Sequence, residues 1–145
     1  MSKPSADHRG CSAHINHSLW DKDGKTNLLY DVNAPNKLSE LCGYWMAGLL
    51  KHSQATTMLM APTVNCYKRF GVQSHVSSIP NWGIDNRSCM LRLKINGMEG
   101  TYIENRSSGG GSNPYLTLAA VVAAGIDGIE KNCLFRKKRP ATPSG

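Results

Sequence analysis

The run that opens at Asn113-Pro114-Tyr115-Leu116 leaves this chain the least conformational freedom. An asparagine side-chain oxygen accepts from the unpaired amides of a first helical turn, and proline's fixed φ and missing N–H suit the first helical position. Leu118, Val121, Val122, Gly125, Ile126 and Ile129 then recur at the spacing of one helical face. With so many alanines among them, residues 114–131 are predicted to form a helix buried on most sides. The stretch just before it, 107–112, has the composition of a flexible linker, yet it runs straight into the helix start.

Other elements must supply the surroundings of that helix. Leu38, Leu41, Cys42, Trp45, Met46 and Leu49 carry a second helical stripe, which predicts a core helix over 38–51. A shorter helical piece over 55–60 stops at Pro62, and 63–80 has no regular pattern. Strand signals appear on either side. Residues 12–19 place His14, Asn16 and Ser18 on one face and Ile15, His17 and Leu19 on the other. Residues 89–95 alternate Met90, Arg92 and Lys94 against Leu91, Leu93 and Ile95. Asn96-Gly97 predicts a hairpin turn into a strand over 101–106, with Tyr102, Glu104 and Arg106 on one face. The charged faces of the two strands are therefore expected to converge.

Composition narrows the class. At 145 residues the chain fits one modest domain, and 40% hydrophobic with 19% charged residues excludes wholesale disorder. Part of the net charge of +7 comes from Arg136-Lys137-Lys138-Arg139; the rest is dispersed, which favours local anion sites over a nucleic-acid stripe. Residues 133–145 are predicted to be a basic, disordered tail, with a nuclear-import signal as the lesser reading. Residues 1–9 are a polar N-terminal segment without an apolar leader, and no apolar run reaches the roughly 20 residues of a membrane helix. Cys11, Cys42, Cys66, Cys89 and Cys133 are odd in number and contain no Cys-x-x-Cys pair. They fit reduced thiols of a cytoplasmic protein better than a disulfide framework or a zinc site.

The residues with chemical potential are one histidine and one glutamate on strand faces, and Arg69, Arg87, Arg92 and Arg106 near strand and loop boundaries. Arginine forks match carboxylates and phosphates. Phosphoryl transfer needs divalent cations on the phosphate oxygens and fixed positive charge around them, and one His with one Glu is only a partial metal shell. Composition alone favours solvated surface charge for scattered arginines.

Seven strings shift that balance: His14-Ile-Asn-His-Ser-Leu-Trp-Asp21, Leu38-Ser-Glu-Leu41, Gly48-Leu-Leu-Lys-His52, Pro62-Thr-Val-Asn-Cys-Tyr-Lys-Arg69, Asp85-Asn-Arg-Ser88, Ile103-Glu-Asn-Arg106 and Asn113-Pro-Tyr-Leu116. In order and near spacing they resemble the C-terminal part of a glutamine synthetase-type catalytic domain over residues 10–132. Within that family the chain is most similar to the lengsin branch of the vertebrate lens, whose members keep the fold and have lost catalytic groups. The resemblance implies an α+β fold, a curved antiparallel sheet whose polar face lines a half-funnel, with helices packed behind it. The family's other strands have no counterpart here, so an open sheet edge is expected.

The resemblance also implies roles. His14 and Glu104 match two ligands of a metal ion, Mg2+ or Mn2+, that bridges ATP phosphates. Arg69 and Gly10 match the binding of the glutamate substrate. Arg87 and Arg92 match arginines at the ATP phosphates, Arg106 the arginine at the substrate γ-carboxylate, and Ser18 a nucleotide contact; Arg87 and Arg106 would act in catalysis. Active relatives phosphorylate glutamate with ATP and let ammonia displace the phosphate.

The departures fall among these groups. His75 stands where the family has the glutamate that takes a proton from ammonium, and an imidazole offers no fixed negative charge. Asn16 replaces a phosphate-side histidine, Arg9-Gly-Cys-Ser12 replaces the loop that cradles the amino acid, and Ser107-Ser-Gly109 replaces an apolar-Pro-Asp turn. His17, on the opposite face from His14, is read as a packed or exposed residue and not a ligand.

The family's remaining metal carboxylates, and the neighbouring subunit's domain that completes its site, also have no counterpart here. The expectation is a lengsin-like, catalytically degenerate structural or scaffolding protein, with ATP and metal weakly bound or lost. It would be a homo-oligomer as in the family's stacked rings, with cytoskeletal or other structural partners and neither nucleic acid nor membrane. The rival expectation is a fragment of an active ATP-dependent glutamate–ammonia or glutamate–amine ligase.

Overall fold

A computed structural model describes residues 2–5, 7–8, 10–70 and 77–134. His75 and the basic cluster 136–139 lie outside them. The order is β1 (Ile15–His17), a 3-10 turn (Pro35–Lys37), α1 (Glu40–Lys51), α2 (Ser53–Met60), α3 (Val64–Tyr67), β2 (Trp82–Ile84), β3 (Leu91–Lys94), α4 (Gly97–Gly100), β4 (Tyr102–Asn105) and α5 (Pro114–Glu130).

The sheet runs β1-β4-β3-β2. The α+β class expected from the sequence holds. β1, β4 and β3 are antiparallel, while β2 joins β3 in parallel, so the sheet is mixed. The predicted pairing of β3 with β4 forms, but through the helical turn α4 instead of a two-residue turn at Asn96-Gly97; Gly97 supplies the positive φ of 77° that starts the turn. The strand predicted over 12–19 is ordered as a ladder only at Ile15–His17. The sheet is open, with three-residue strands at both edges.

Both predicted long helices form, the second with the expected Asn113 cap. Ser39 accepts from the Cys42 amide, and Asn113 accepts from the amides of Tyr115 and Leu116. Leu91, Leu93 and Ile103 turn one sheet face into the core, where Cys42, Trp45, Met46 and Leu49 of α1 and Val121 and Ala124 of α5 meet them. The helices approach closely because Gly48 and Gly128 face each other. A Cβ on Gly48 would overlap the Ala124 carbonyl, and one on Gly128 would overlap the Tyr44 carbonyl. Trp45 lies flat against Gly125 in the same contact.

α5 departs from the sequence expectation in its burial. The face it packs inward is the small one, Thr117, Ala120, Val121, Ala124, Gly125 and Gly128. Tyr115, Leu118, Val122 and Ile126, the bulky members of the opposite face, stand exposed. The pattern locates an apolar face but does not say whether this chain contains what covers it. The serine-glycine stretch 107–112, linker-like in composition, is built in: Ser107, Ser108 and Gly109 are buried, and the Gly109 amide donates to Met60 O at 2.9 Å.

Candidate functional site

Strand register puts Asn16, Glu104 and Arg92 side by side across β1, β4 and β3, and Gly83 of β2 extends the row. The alternation that sends Leu91, Leu93 and Ile103 into the core sends Arg92 and Glu104 to the other face. Arg106, two residues beyond Glu104, follows it there, and His14 just precedes β1. The charged faces do converge.

Glu104 is the centre. Its Oε1 lies 2.8 Å from His14 Nδ1 and accepts from Arg106 Nη1 at 2.9 Å; its Oε2 accepts from Arg92 Nη1 at 3.1 Å. The residue is only 7% exposed. Burial pushes its carboxyl upward, but the Arg92 hydrogen bond and the charges of Arg106, His14 and Arg92 outweigh that and hold it below the usual glutamate value. Arg92 also reaches outward to Asp85, through Nε at 3.0 Å and through Nη2, and Lys94 Nζ joins the same Oδ1 at 2.9 Å. Lys94 and Arg92 together hold Asp85 down to about 2. Asp85 sits at a positive φ of 48° in the turn after β2. Sequence reasoning quoted it at the head of Asp85-Asn-Arg-Ser88 but gave it no role; the two cations at alternate positions of β3 were the available signal, while the partner's place in space was not.

Three cationic side chains, Arg92, Arg106 and Lys94, thus meet two carboxylates, Asp85 and Glu104, and the face keeps an excess of positive charge before His14 is counted. Arg106 Nε is buried with no hydrogen-bond partner among the described residues. Such a donor suits an added anion oxygen.

Arg69 belongs to a separate pocket. It is 2% exposed, and its guanidinium donates to Ser12 Oγ at 2.9 Å, Ser108 O at 3.1 Å and Ser107 O at 3.4 Å, while Nε has no partner among the described residues. Gly10 is wedged between the Arg69 side chain and the Ser2 carbonyl. Ser12, Ser107 and Ser108, which stand at the two altered loops, are what hold this arginine. Ser18 Oγ accepts from Trp20 Nε1 at 2.8 Å. Arg87 is exposed in the turn between β2 and β3, and no contact among the described residues joins it to the cluster. His17 packs on Trp45, whose Nε1 donates to His17 Nε2 at 3.0 Å; burial lowers its pKa, partly offset by the backbone of Ile15.

A divalent ion does not fit this donor set. His14 Nδ1 and Glu104 are bonded to each other, two guanidiniums occupy the carboxylate, and no group of three or more His, Cys, Asp or Glu side chains gathers among the described residues. An anion does fit. No helix among the described residues is long and apolar enough to cross a membrane.

Comparison with known proteins agrees with the strings quoted above. The family model for the glutamine synthetase catalytic domain matches residues 1–140. Lengsin from Rattus norvegicus is 46% identical over 124 residues, 83% of this chain and 22% of the relative. Human lengsin is 43% identical over 124 residues, 83% of this chain and 24% of the relative. Glutamine synthetase from Methanosarcina mazei is 39% identical over 130 residues, 90% of this chain and 29% of the relative. The chain therefore spans well under a third of the length of these curated relatives.

Proposed function

The chain belongs to the glutamine synthetase family, and on that premise we propose that it is a catalytically degenerate, lengsin-like portion of the catalytic domain with a structural role. Members of the family generally depend on ATP and a divalent metal. The single observation that carries the reading is the state of Glu104, whose oxygens are already taken by Arg92, Arg106 and His14. To bind a cation, Glu104 and His14 would have to part and two guanidiniums would have to withdraw. Two ligands would still leave most of an octahedral shell to water.

What remains is a weak ATP or phosphate site. Arg92 and Arg106 would take phosphate oxygens, with Lys94 adding charge and no bound metal required. Asn16, in the same row, offers an amide where the family pattern has a phosphate-side histidine. His75, in place of the family's proton-accepting glutamate, adds to the degenerate reading from sequence alone. The exposed ridge of Tyr115, Leu118, Val122 and Ile126, together with the open sheet edges, supports assembly into a homo-oligomer. Free thiols at all five cysteines support a cytoplasmic setting.

Calorimetry on the 145-residue protein tests the site. Inorganic phosphate and ATP should bind weakly, magnesium should not strengthen them, and Arg92→Gln should weaken both. Tight magnesium-dependent ATP uptake with phosphate release would defeat the proposal. A second reading, a portion of an active glutamate–ammonia or glutamate–amine ligase, draws on the 39% identity to a glutamine synthetase and on the retention of His14, Glu104 and Arg106. The γ-glutamyl hydroxamate assay on the longest product of the gene separates the two: turnover near that of ordinary glutamine synthetases selects the ligase.

A further inference from the structure

We propose that Asp85 is a built-in competitor for the anion site: its carboxylate occupies donors of Arg92 and Lys94, and only an anion carrying more charge than a carboxylate, such as a phosphate dianion, displaces it. The inference rests on the reading of Arg92 and Arg106 as a weak phosphate site and assigns the residue that keeps the site weak.

Arg92 meets two carboxylates through different nitrogens. Nη1 donates to Glu104 Oε2 at 3.1 Å. Nε at 3.0 Å, together with Nη2, is turned to Asp85 Oδ1, and Lys94 Nζ donates to that same oxygen at 2.9 Å. Asp85 is thus placed as an added anion would be, against the guanidinium fork and the ammonium at once. Strand geometry puts it there. Arg92 and Lys94 alternate on β3 and share a face. β2 runs parallel beside β3 with Ile84 opposite Leu93, so the next residue, Asp85, emerges level with both cations, and its amide donates to Leu93 O at 2.9 Å.

The two carboxylates are held differently. The Glu104 side chain is 9% exposed and has three basic partners, whereas the Asp85 side chain is 58% exposed. Asp85 is the one that can yield. Its amide stays on Leu93 while the side chain turns to water, and exposed ion pairs give back little free energy. A tethered carboxylate nonetheless acts at high effective concentration, so a free monocarboxylate competes poorly with it. A phosphate dianion brings a second charge and more acceptor oxygens, enough for Arg92, Lys94 and the buried Arg106 Nε that has no partner among the described residues. Asp85 therefore sets both the strength of anion binding and its selectivity.

The test is Asp85→Asn. Asparagine tolerates the positive φ of 48° at this position, and the side chain is exposed, so the fold is kept. Titration calorimetry with inorganic phosphate should give a Kd about tenfold lower than for the unsubstituted protein, the size of one charge contact near the surface. Acetate should bind only the Asp85→Asn protein. Asp127→Asn, which removes an equal charge elsewhere, should leave the phosphate Kd unchanged, and Asp85→Asn/Arg92→Gln should lose the gain. Phosphate binding that is unchanged or weaker in Asp85→Asn, while Arg92→Gln still weakens it in the parent, overturns the competitor and leaves the phosphate site standing. An equal gain in Asp127→Asn, a gain that survives Arg92→Gln, or acetate binding to the unsubstituted protein as tight as phosphate also overturns it. Absence of phosphate binding in every protein, Asp85→Asn included, removes the competitor and the site together.

Discussion

Two carboxylates in this molecule each gather three basic side chains, two of them permanent cations and one a histidine, and they do different work. Asp127 on α5 takes His52 Nε2 at 2.7 Å, Lys51 Nζ at 3.1 Å and, from its own helix, Lys131. Glu104 on β4 takes His14, Arg92 and Arg106. Around Asp127 the lysines are half-exposed or more, whereas the arginines around Glu104 retain 13% and 10% exposure. Solvent can replace the lysines around Asp127, but it reaches the arginines around Glu104 far less. Residue type follows burial. Flexible ammonium groups gather at helix C-termini, where the dipole favours them, and planar forks gather where fixed geometry must satisfy a desolvated carboxylate.

The strongest way to break this contrast is Glu104→Ala. Arg106 would be left without a carboxylate and Arg92 with Asp85 alone, both guanidiniums being nearly buried, so the protein should lose about 3–5 kcal/mol of stability, read from the urea midpoint at constant slope. A loss below about 1 kcal/mol would place Glu104 with the exposed pairs. Glu104→Gln should cost less, since an amide oxygen still accepts from one arginine. Acid gives the next largest effect. The Glu104 carboxyl is held below its unfolded value of about 4.3, so its contribution is fully present above that pH and fades as pH falls through the lower folded value. Urea midpoints should therefore drop below about pH 4.3 in the unsubstituted protein and drop less steeply in Glu104→Gln. Equal slopes would mean that other carboxyls dominate the acid limb.

How far the sequence foretold this depends on the range of the interaction. Caps and stripes are local, so the Asn113 cap and the α1 core residues were legible from spacing. The side-by-side placement of Arg92 and Glu104 was legible because alternation fixes faces and the β3–β4 pairing fixes register. The contact of Asp85 with Arg92 was not legible, because Asp85 acts through a turn whose position depends on the whole fold and follows no repeating pattern. The exposure of Tyr115, Leu118, Val122 and Ile126 was misjudged for the converse reason: an apolar face is written in the sequence, but what covers it is not. The parallel β2 escaped because the three residues Trp82–Ile84 are too few to show an alternation.

The smallest effect sharpens the comparison most. Asp127→Asn should lower the thermal midpoint only slightly at low ionic strength, and the difference from the unsubstituted protein should disappear near 1 M salt, where screening extends to about 3 Å. His52, Lys51 and Lys131 then simply return to water. The Glu104→Ala deficit should persist in the same salt series, because ions that cannot enter a buried site cannot screen it. If both deficits faded together, burial would not be what separates the two clusters, and the arginines around Glu104 would have to be counted as surface charge. If neither faded, Asp127 would owe its effect to the directed bond with His52 at the end of α1 and not to charge. Lys131→Ala would then leave the midpoint unchanged, while His52→Ala would reproduce the whole loss.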